Sequence, residues 1–142
     1  MSHRILIVDD SALIRHSVRA CIERNTDWEV CGEAENGRVA IERVKRLSPD
    51  VVILDWKMPV MDGLEAAKQI RCIAPSTTML MITLHDSIHL AENAHAAGIK
   101  QVLSKSDAIA EHLVASLREV PPATTTVPTT TVPTTVAGAE RS

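Results

Sequence analysis

The sequence predicts a doubly wound α/β fold, in which helices cover both faces of a five-stranded parallel sheet. Short β-branched runs of four to six residues alternate along the chain with segments whose apolar residues recur at helical spacing. Single helical segments between such short runs favour right-handed βαβ crossovers, and these give a parallel sheet. The run at 51–54 is apolar throughout, as expected of a central strand that is buried on both faces.

Five runs are predicted to form the strands of this sheet. They are RILIV (4–8), WEVCGE (28–33), VVILD (51–55), TMLMIT (78–83) and QVLS (101–104). The chain has no Phe and no Tyr, and it has two Trp. Aliphatic side chains and Met are therefore expected to fill the core.

Five helices are predicted from apolar residues that stand three or four positions apart. The sets are Ile14, Val18, Cys21 and Ile22; Ala40, Ile41, Val44 and Leu47; Leu64, Ala67 and Ile70; Leu90, Ala94 and Ala97; and Ile109, Leu113 and Leu117. Boundary signals agree with these sets, because Ser11 can cap the first helix and Ser48-Pro49-Asp50 can end the second. Gly63 opens the third helical region, and Gly98 follows the fourth as a C-terminal stop.

Bulk properties limit the classes of function. A chain of 142 residues suits one domain, and a net charge of -3 with both signs interspersed offers no basic surface for nucleic acid. No apolar run approaches the roughly 20 residues of a membrane helix, so we expect a soluble, cytoplasmic protein that does not bind membranes. Cys21, Cys31 and Cys72 lack metal or redox spacing and are expected to be reduced, packed thiols.

The composition changes at Pro121, after which TTTVP occurs twice in tandem. Regularly spaced Pro blocks helix formation and the isolated Val residues cannot form a core, which indicates a disordered Thr/Pro-rich tail over 121–142. The folded domain is accordingly predicted to span 1–120. A glycosylated stalk is the alternative interpretation of the tail, but the sequence shows no signal peptide to support it.

Polar residues stand at the carboxyl ends of four predicted strands. Asp9 and Asp10 follow the first, Asp55 ends the third, Thr83 ends the fourth and Lys105 follows the fifth. In a parallel sheet these ends share the edge at which ligands bind, and three carboxylates gathered there would repel one another without a cation. Oxygen ligands without His or Cys favour Mg²⁺. The alternative, a simple helix cap, accounts for only one carboxylate of the Asp9-Asp10 pair.

Asp55 is expected to be a reactive carboxylate, because it leaves a buried strand for a loop that Pro59 fixes and Gly63 turns. With Mg²⁺ balancing the charge, its oxygen can attack a phosphoryl donor and form an acyl phosphate. Lys105 would supply positive charge to the transferred oxygens, and the Thr83 hydroxyl would donate to one of them and act as a switch. A solvated surface lysine and an ordinary strand threonine are the alternatives for these two residues.

Four segments together resemble the receiver domain of bacterial two-component response regulators. They are ILIVDDS, VVILDWKMPVMDGLE, TLHD from Thr83 onward, and AGIKQVLSKSD, in the order and spacing of that family over residues 4 to about 119. The resemblance implies a receiver domain over 1–120 with the flavodoxin-like fold of the chemotaxis regulators, strand order 2-1-3-4-5. It also implies a protein that accepts a phosphoryl group and signals by a change of conformation, and that is not an enzyme in the ordinary sense.

The resemblance also implies roles for particular residues. Asp55 would be the phosphoacceptor; Mg²⁺ would be held by Asp9, Asp10, Asp55 and the backbone carbonyl of Lys57; Lys105 and Thr83 would contact the phosphoryl group. The implied donor is a sensor histidine kinase or a phosphotransfer protein. The implied output is contact with a downstream protein whose identity is open, made by a monomer or by a dimer that forms on phosphorylation.

The sequence departs from the family pattern at two positions. Val102 stands where most receivers carry Tyr, Phe or His, and Ser106 stands where many carry Pro. The KSD that contains Ser106 resembles the branch usually fused to a helix-turn-helix domain, whereas a stand-alone module is expected here.

Two other functions are compatible with parts of this pattern. One is an interaction module that binds partners without phosphorylation. The other is a Mg²⁺-dependent aspartyl-phosphate phosphohydrolase, which would typically need an Asp at the position of Lys57. His85 and His89 have a spacing that can hold a metal but are interpreted as exposed, and His16 is not expected to act in phosphotransfer.

Overall fold

A computed structural model describes residues 3–84, 88–105 and 109–120 of the protein. Its strands are β1 Arg4–Val8, β2 Glu29–Ala34, β3 Val51–Leu54, β4 Thr78–Thr83 and β5 Gln101–Ser104. Its helices are α1 Ala12–Asn25, α2 Gly37–Leu47, α3 Gly63–Ile73, α4 Ile88–Ala96 and α5 Ile109–Arg118. The strands form one parallel sheet in the order β2-β1-β3-β4-β5, which confirms the predicted fold and strand order. The predicted tail at 121–142 lies outside the described residues.

Two cores lie on opposite faces of the sheet, because successive strand residues point to opposite sides. On one face Leu6 and Leu54 pack with residues of α2, α3 and α4. On the other face Ile5 and Ile53 pack with residues of α1 and α5. Both cores are aliphatic as predicted, and Trp28 and Trp56 are only partly buried at their margins.

The helix boundaries follow the predicted signals. The Ser11 side chain accepts a hydrogen bond from the backbone N–H of Ile14 and caps α1, while Ser48 ends α2 at a φ of 48°. Gly98 follows α4 at a φ of 94°, a left-handed conformation that suits glycine. β2 begins one residue later than predicted, because the sheet pairing starts at Arg4 opposite Glu29 and Trp28 instead contacts the His3 ring.

The loop after β3 departs from the predicted turn at Gly63. The left-handed residue of this loop is Val60, with a φ of 70°, and the Met61 N–H donates to the Pro59 carbonyl across it at 2.7 Å. Such a conformation costs roughly 1 to 3 kcal/mol for a residue other than glycine. Gly63 is required for a different reason, since a Cβ there would lie 2.1 Å from the carbonyl oxygen of Asp55.

The three cysteines, all in the described part of the chain, form no disulfide bond there, but they are not all packed. Cys21 and Cys31 are half-buried, and burial raises the pKa of both thiols. Cys72 is exposed on α3, so the prediction of a packed thiol is wrong at that position. Among the described residues, no helix is both long enough and apolar enough to cross a membrane.

Candidate functional site

Residues from four strand ends meet at the carboxyl edge of the sheet. Asp9 follows β1 with 1% of its surface exposed, Asp55 follows β3 with 6% exposed, and Thr83 at the end of β4 is buried. Carboxylate oxygens of Asp9, Asp10 and Asp55 lie within 4.8 Å of one another. The parallel topology therefore brings together the acidic residues that the sequence placed at separate strand ends.

Lys105 holds two of these carboxylates. Its Nζ lies 2.8 Å from Oδ2 of Asp9 and 3.2 Å from Oδ2 of Asp55, and its side chain is largely buried. Burial opposes the charged form, but the hydrogen bond and charge of Asp9, followed by those of Asp55, raise the pKa of Lys105. The ammonium is thus kept charged within the cluster, and the alternative of a solvated surface lysine is wrong.

Asp55 is held in an environment that disfavours its negative charge. Burial raises the pKa of its carboxyl group, and the neighbouring Asp9 carboxylate raises it further. The Lys105 ammonium and the backbone N–H of Trp56, 2.8 Å from Oδ1, oppose this shift without cancelling it. Three carboxylates beside one lysine leave an excess of negative charge at this edge, which a further cation would balance.

The donor set of the cluster fits Mg²⁺. The three gathered side chains all offer carboxylate oxygens, which are the hard ligands that Mg²⁺ prefers, and the exposed Asp10 leaves the cluster open to water. Lys57 follows in the same loop, with its Nζ 4.1 Å from the centroid of the Trp56 ring. A ligand role for the Lys57 carbonyl stays a prediction.

Asp9 also caps the turn that follows β1. Its Oδ1 accepts a hydrogen bond from the backbone N–H of Ser11 at 2.9 Å, while Oδ2 binds Lys105. The N-cap of α1 is Ser11, so the helix-cap alternative is wrong for Asp9, whose Oδ1 closes the turn before the helix while Oδ2 lies within the acidic cluster.

Thr83 connects the last two strand ends. Its carbonyl accepts a hydrogen bond from the backbone N–H of Lys105 at 2.9 Å, and it pairs with Ser104 across the sheet. The backbone that carries Lys105 is thereby fixed to the end of β4. The switch role of the Thr83 hydroxyl stays a prediction.

One set of contacts at this edge was not predicted from the sequence. Arg15 on α1 donates to the carbonyl of Asp9 and to the carboxylate of Glu33 at the end of β2. The available signal was the position of Arg15 one helical turn after the Ser11 cap, which places it beside the loop that carries Asp9.

Two histidines considered from the sequence, His16 and His89, lie in the described part of the chain. His16 is exposed, and the His89 side chain is 88% exposed with its nearest carboxylate, Glu92, 4.0 Å away. His85 and Ser106 lie outside the described residues. Val102 is half-buried against the core that includes α4.

Known proteins share this fold and this sequence pattern. Residues 5–118 match the response regulator receiver domain family. The chain is 40% identical over 105 residues to the chemotaxis protein CheY of Bacillus subtilis, covering 74% of this chain and 87% of that protein. It is 38% identical over 103 residues to the transcriptional regulatory protein YdfI of the same species, covering 72% of this chain. The chain spans about half the length of YdfI, since the match covers 48% of that protein.

A solved structure gives the same result. The chemotaxis protein CheY4 of Vibrio cholerae superimposes with a TM-score of 0.77 at 32% sequence identity, covering 85% of this chain and 100% of that chain. The acidic cluster at the carboxyl edge of the sheet is typical of a phosphoacceptor site. Fold, sequence match and site agree, and the chain belongs to the response regulator receiver domain family.

Proposed function

We propose that Asp55 accepts a phosphoryl group from a phosphohistidine of a sensor histidine kinase or a phosphotransfer protein, with Mg²⁺ bound beside it. The observation that carries this proposal is the position of Asp55, a buried carboxylate within 4.8 Å of two others and 3.2 Å from the Lys105 ammonium. The product is a phosphorylated protein whose conformation is read by another protein.

The transfer is a displacement at phosphorus. An oxygen of Asp55 attacks the phosphorus in line, and an O–P bond forms as the P–N bond to the donor imidazole breaks. The electron pair returns to the imidazole nitrogen, which takes up a proton from water. The phosphoryl group brings more negative charge than the Asp55 carboxylate that it modifies, so the transfer increases the repulsion with Asp9 and requires positive charge beside it.

Each neighbouring residue has a role in this proposal. The gathered carboxylates of Asp9, Asp10 and Asp55 would hold a Mg²⁺ ion, and the carbonyl of Lys57 would be a further ligand. The ion neutralises the negative charge of the phosphoryl oxygens when bound. Lys105 moves from its carboxylate partners to a phosphoryl oxygen, and the Thr83 hydroxyl donates to another.

Exposed apolar residues at the same edge support a protein as the donor. Leu13 and Val60 are each 74% exposed and Leu84 is 69% exposed. They lie just beyond β1, β3 and β4, which are neighbours in the sheet. Because Asp55 is only 6% exposed, a donor histidine reaches it when the protein that carries the histidine packs against this edge.

The remaining parts of the proposal concern the whole protein. We propose a cytoplasmic protein that is a monomer or dimerises on phosphorylation, binds an unidentified downstream protein and makes no direct contact with nucleic acid. Residues 121–142 would form a disordered spacer. Removal of residues 122–142 is then expected to leave the melting temperature and the labelling of Asp55 unchanged, and a large loss of thermal stability would contradict the spacer.

The test is phosphorylation by a small acyl-phosphate donor, measured by intact mass with and without Mg²⁺. The wild type is expected to gain one phosphoryl group in the presence of Mg²⁺, whereas Asp55→Asn gains none because an amide cannot act as the acceptor. Asp62→Asn is the matched control, since Asp62 is an exposed N-cap of α3 and Asn also caps helices well. Labelling of Asp55→Asn at the wild-type level would sink the assignment.

The switch role of Thr83 is tested separately. Thr83→Ala is expected to retain labelling but to lose the difference in partner binding between the two states, while Thr83→Ser retains both. A charge-assisted hydrogen bond of roughly 1.5 to 3 kcal/mol corresponds to a tenfold to hundredfold shift in a two-state equilibrium. Unchanged discrimination in Thr83→Ala would remove Thr83 from the switch.

A further inference from the structure

We propose that Arg15 is a positioning residue that fixes the peptide between Asp9 and Asp10, and so fixes the direction in which both carboxylates project toward the metal. This inference rests on the proposed function of the same site. Arg15 lies behind the acidic cluster, on the first turns of α1, and its side chain is largely buried.

The guanidinium of Arg15 joins two partners at once. Its Nη1 donates to the carbonyl oxygen of Asp9 at 2.6 Å, and its Nε donates to Oε1 of Glu33 at 2.8 Å. Because the guanidinium is planar and rigid, a bond to Glu33 at one position directs the other N–H groups toward Asp9. Lys cannot reproduce this geometry, since it has a single terminal nitrogen.

Glu33 is itself held in place. Its Oε2 accepts a hydrogen bond from Nε of Arg19 at 2.9 Å, and Nη2 of Arg19 lies 2.8 Å from the same oxygen. Although partial burial opposes ionisation, the hydrogen bonds from Arg19 and Arg15 lower the pKa of Glu33 and keep it charged. The anchor for Arg15 is therefore an ionised carboxylate at the end of β2.

The end of β2 holds Asp9 from both sides of its backbone. The N–H of Asp9 donates to the carbonyl of Ala34 at 3.0 Å, while the carbonyl of Asp9 is held by Arg15 through Glu33. With both of its peptide groups fixed, the turn from Asp9 to Asp10 cannot rotate freely. Preorganised ligands lose less conformational entropy when a metal binds, so fixing this turn increases metal affinity.

A purely electrostatic effect of Arg15 would have the opposite sign. Arg15 carries a positive charge near the acidic cluster, and that charge alone repels Mg²⁺. Removal of the charge would therefore increase the affinity for Mg²⁺. Removal of a positioning contact decreases it, and the direction of the change separates the two effects.

The experiment measures Mg²⁺ affinity in the full-length protein through Trp56 fluorescence, with calorimetric titration as a second readout. Arg15→Ala is expected to weaken Mg²⁺ binding about tenfold, the lower end of the range for residues that orient metal ligands. Arg15→Lys, which keeps the charge and most of the side chain, is expected to weaken it by a smaller factor. Arg19→Ala is the matched control, because it removes the same charge and a contact with Glu33, whereas the polar contacts of Arg19 are with Glu23 and Glu33 and not with Asp9.

The outcomes separate this inference from the function on which it rests. A wild-type protein that binds no Mg²⁺ would overturn both. If the wild type binds Mg²⁺ and Arg15→Ala binds it equally well or more tightly, the positioning role alone is overturned. Equal weakening in Arg15→Ala and Arg19→Ala would also overturn it, because general damage around Glu33 would then explain the loss.

If Arg15→Ala does not fold, Arg15→Lys and Glu33→Gln carry the test. Urea unfolding without Mg²⁺ shows which variants remain folded under the conditions of the titration. Glu33→Gln weakens the anchor without removing any arginine, and it is expected to weaken Mg²⁺ binding in the same direction as Arg15→Lys. Unchanged affinity in both variants would contradict the proposal.

Discussion

The amino and carboxyl edges of the sheet differ in how far their charged side chains are neutralised or hydrogen-bonded. At the amino edge, Asp50 accepts a hydrogen bond from the Arg4 backbone at 2.8 Å, and the guanidinium of Arg4 donates to carbonyls at the end of α2. At the carboxyl edge, the acidic cluster of Asp9, Asp10 and Asp55 has Lys105 as its bound cation. At the amino edge, Asp50 and Arg4 are hydrogen-bonded to backbone groups, whereas the carboxyl edge keeps an excess of negative charge.

This difference indicates that contacts that stabilise the fold and the residues of the proposed site lie at opposite edges of the sheet. The hydrogen bonds of Arg4 and Asp50 at the amino edge connect the start of β1 to the start of β3 and the end of α2. The carboxyl edge holds like charges close together and a strained Val60, both of which lower the stability of the folded state. Three substitutions and the addition of Mg²⁺ test this contrast, in order of decreasing expected effect.

Asp50→Ala is expected to lower the free energy of unfolding by about 2 to 3 kcal/mol, because it removes a charged acceptor and leaves the Arg4 N–H without it. Mg²⁺ affinity should stay within about twofold, since Asp50 lies at the opposite edge. Urea unfolding and a Mg²⁺ titration check both statements. Asp27→Ala, at an exposed position before β2, is the control, and an equally small loss in both variants would contradict the contrast.

Mg²⁺ is expected to stabilise the wild-type protein, because the ion compensates the excess negative charge of the carboxyl edge. At ten times the dissociation constant, the gain in unfolding free energy is about 1.4 kcal/mol by mass action. Melting curves with Mg²⁺ and with a chelator measure this gain. An equal shift in Asp55→Asn would show that the ion binds somewhere else.

Asp55→Asn is expected to raise the unfolding free energy without Mg²⁺ by about 1 kcal/mol, the scale of repulsion between partly hydrated charges. Because burial and then Asp9 raise the pKa of Asp55 above its ordinary value of 3.8, the folded state binds this proton more tightly than the unfolded chain does. The wild type should therefore lose stability as pH rises from about 3.8 through the raised pKa, and above it the penalty is complete.

Urea unfolding across this pH range checks the prediction. Asp55→Asn should lack the part of the pH dependence of the unfolding free energy that comes from Asp55. A variant that is less stable than the wild type at neutral pH would show that the ion pair with Lys105 outweighs the burial and the repulsion.

Val60→Gly is expected to raise stability by about 0.5 kcal/mol. Relief of the positive φ contributes more than this, but glycine also increases the entropy of the unfolded chain. Val60→Ala keeps a Cβ at the same φ and should gain less, which makes it the matched control. Equal effects of the two variants in urea unfolding would show that the conformation of Val60 is not strained.

The fold and the site residues could be predicted because both depend on local pattern. Asp9, Asp55 and Thr83 stand at the ends of runs such as ILIV and VVIL, and parallel topology then brings those ends together. Side-chain contacts across the fold could not be predicted in this way. The bond from Arg15 to the Asp9 carbonyl depends on a rotamer and on the position of Glu33 in β2.

The backbone conformation of the loop after β3 could not be predicted from the sequence either. Gly63 was the expected turn residue, because glycine adopts positive φ without strain. The structure gives that conformation to Val60 and uses Gly63 for close approach to Asp55. Nothing in a β-branched residue indicates a left-handed backbone, so only the geometry of the folded loop could reveal it.

The ion pair between Lys105 and Asp9 joins residues that are 96 positions apart in the chain. During synthesis on the ribosome, the carboxylates of β1 and β3 emerge long before this lysine does. The arrangement is completed only after the last strand has paired with β4, so a partly made chain carries the acids without their cation. Completion of the site therefore coincides with completion of the sheet, and chains truncated before β5 are expected to carry the acidic cluster without Lys105.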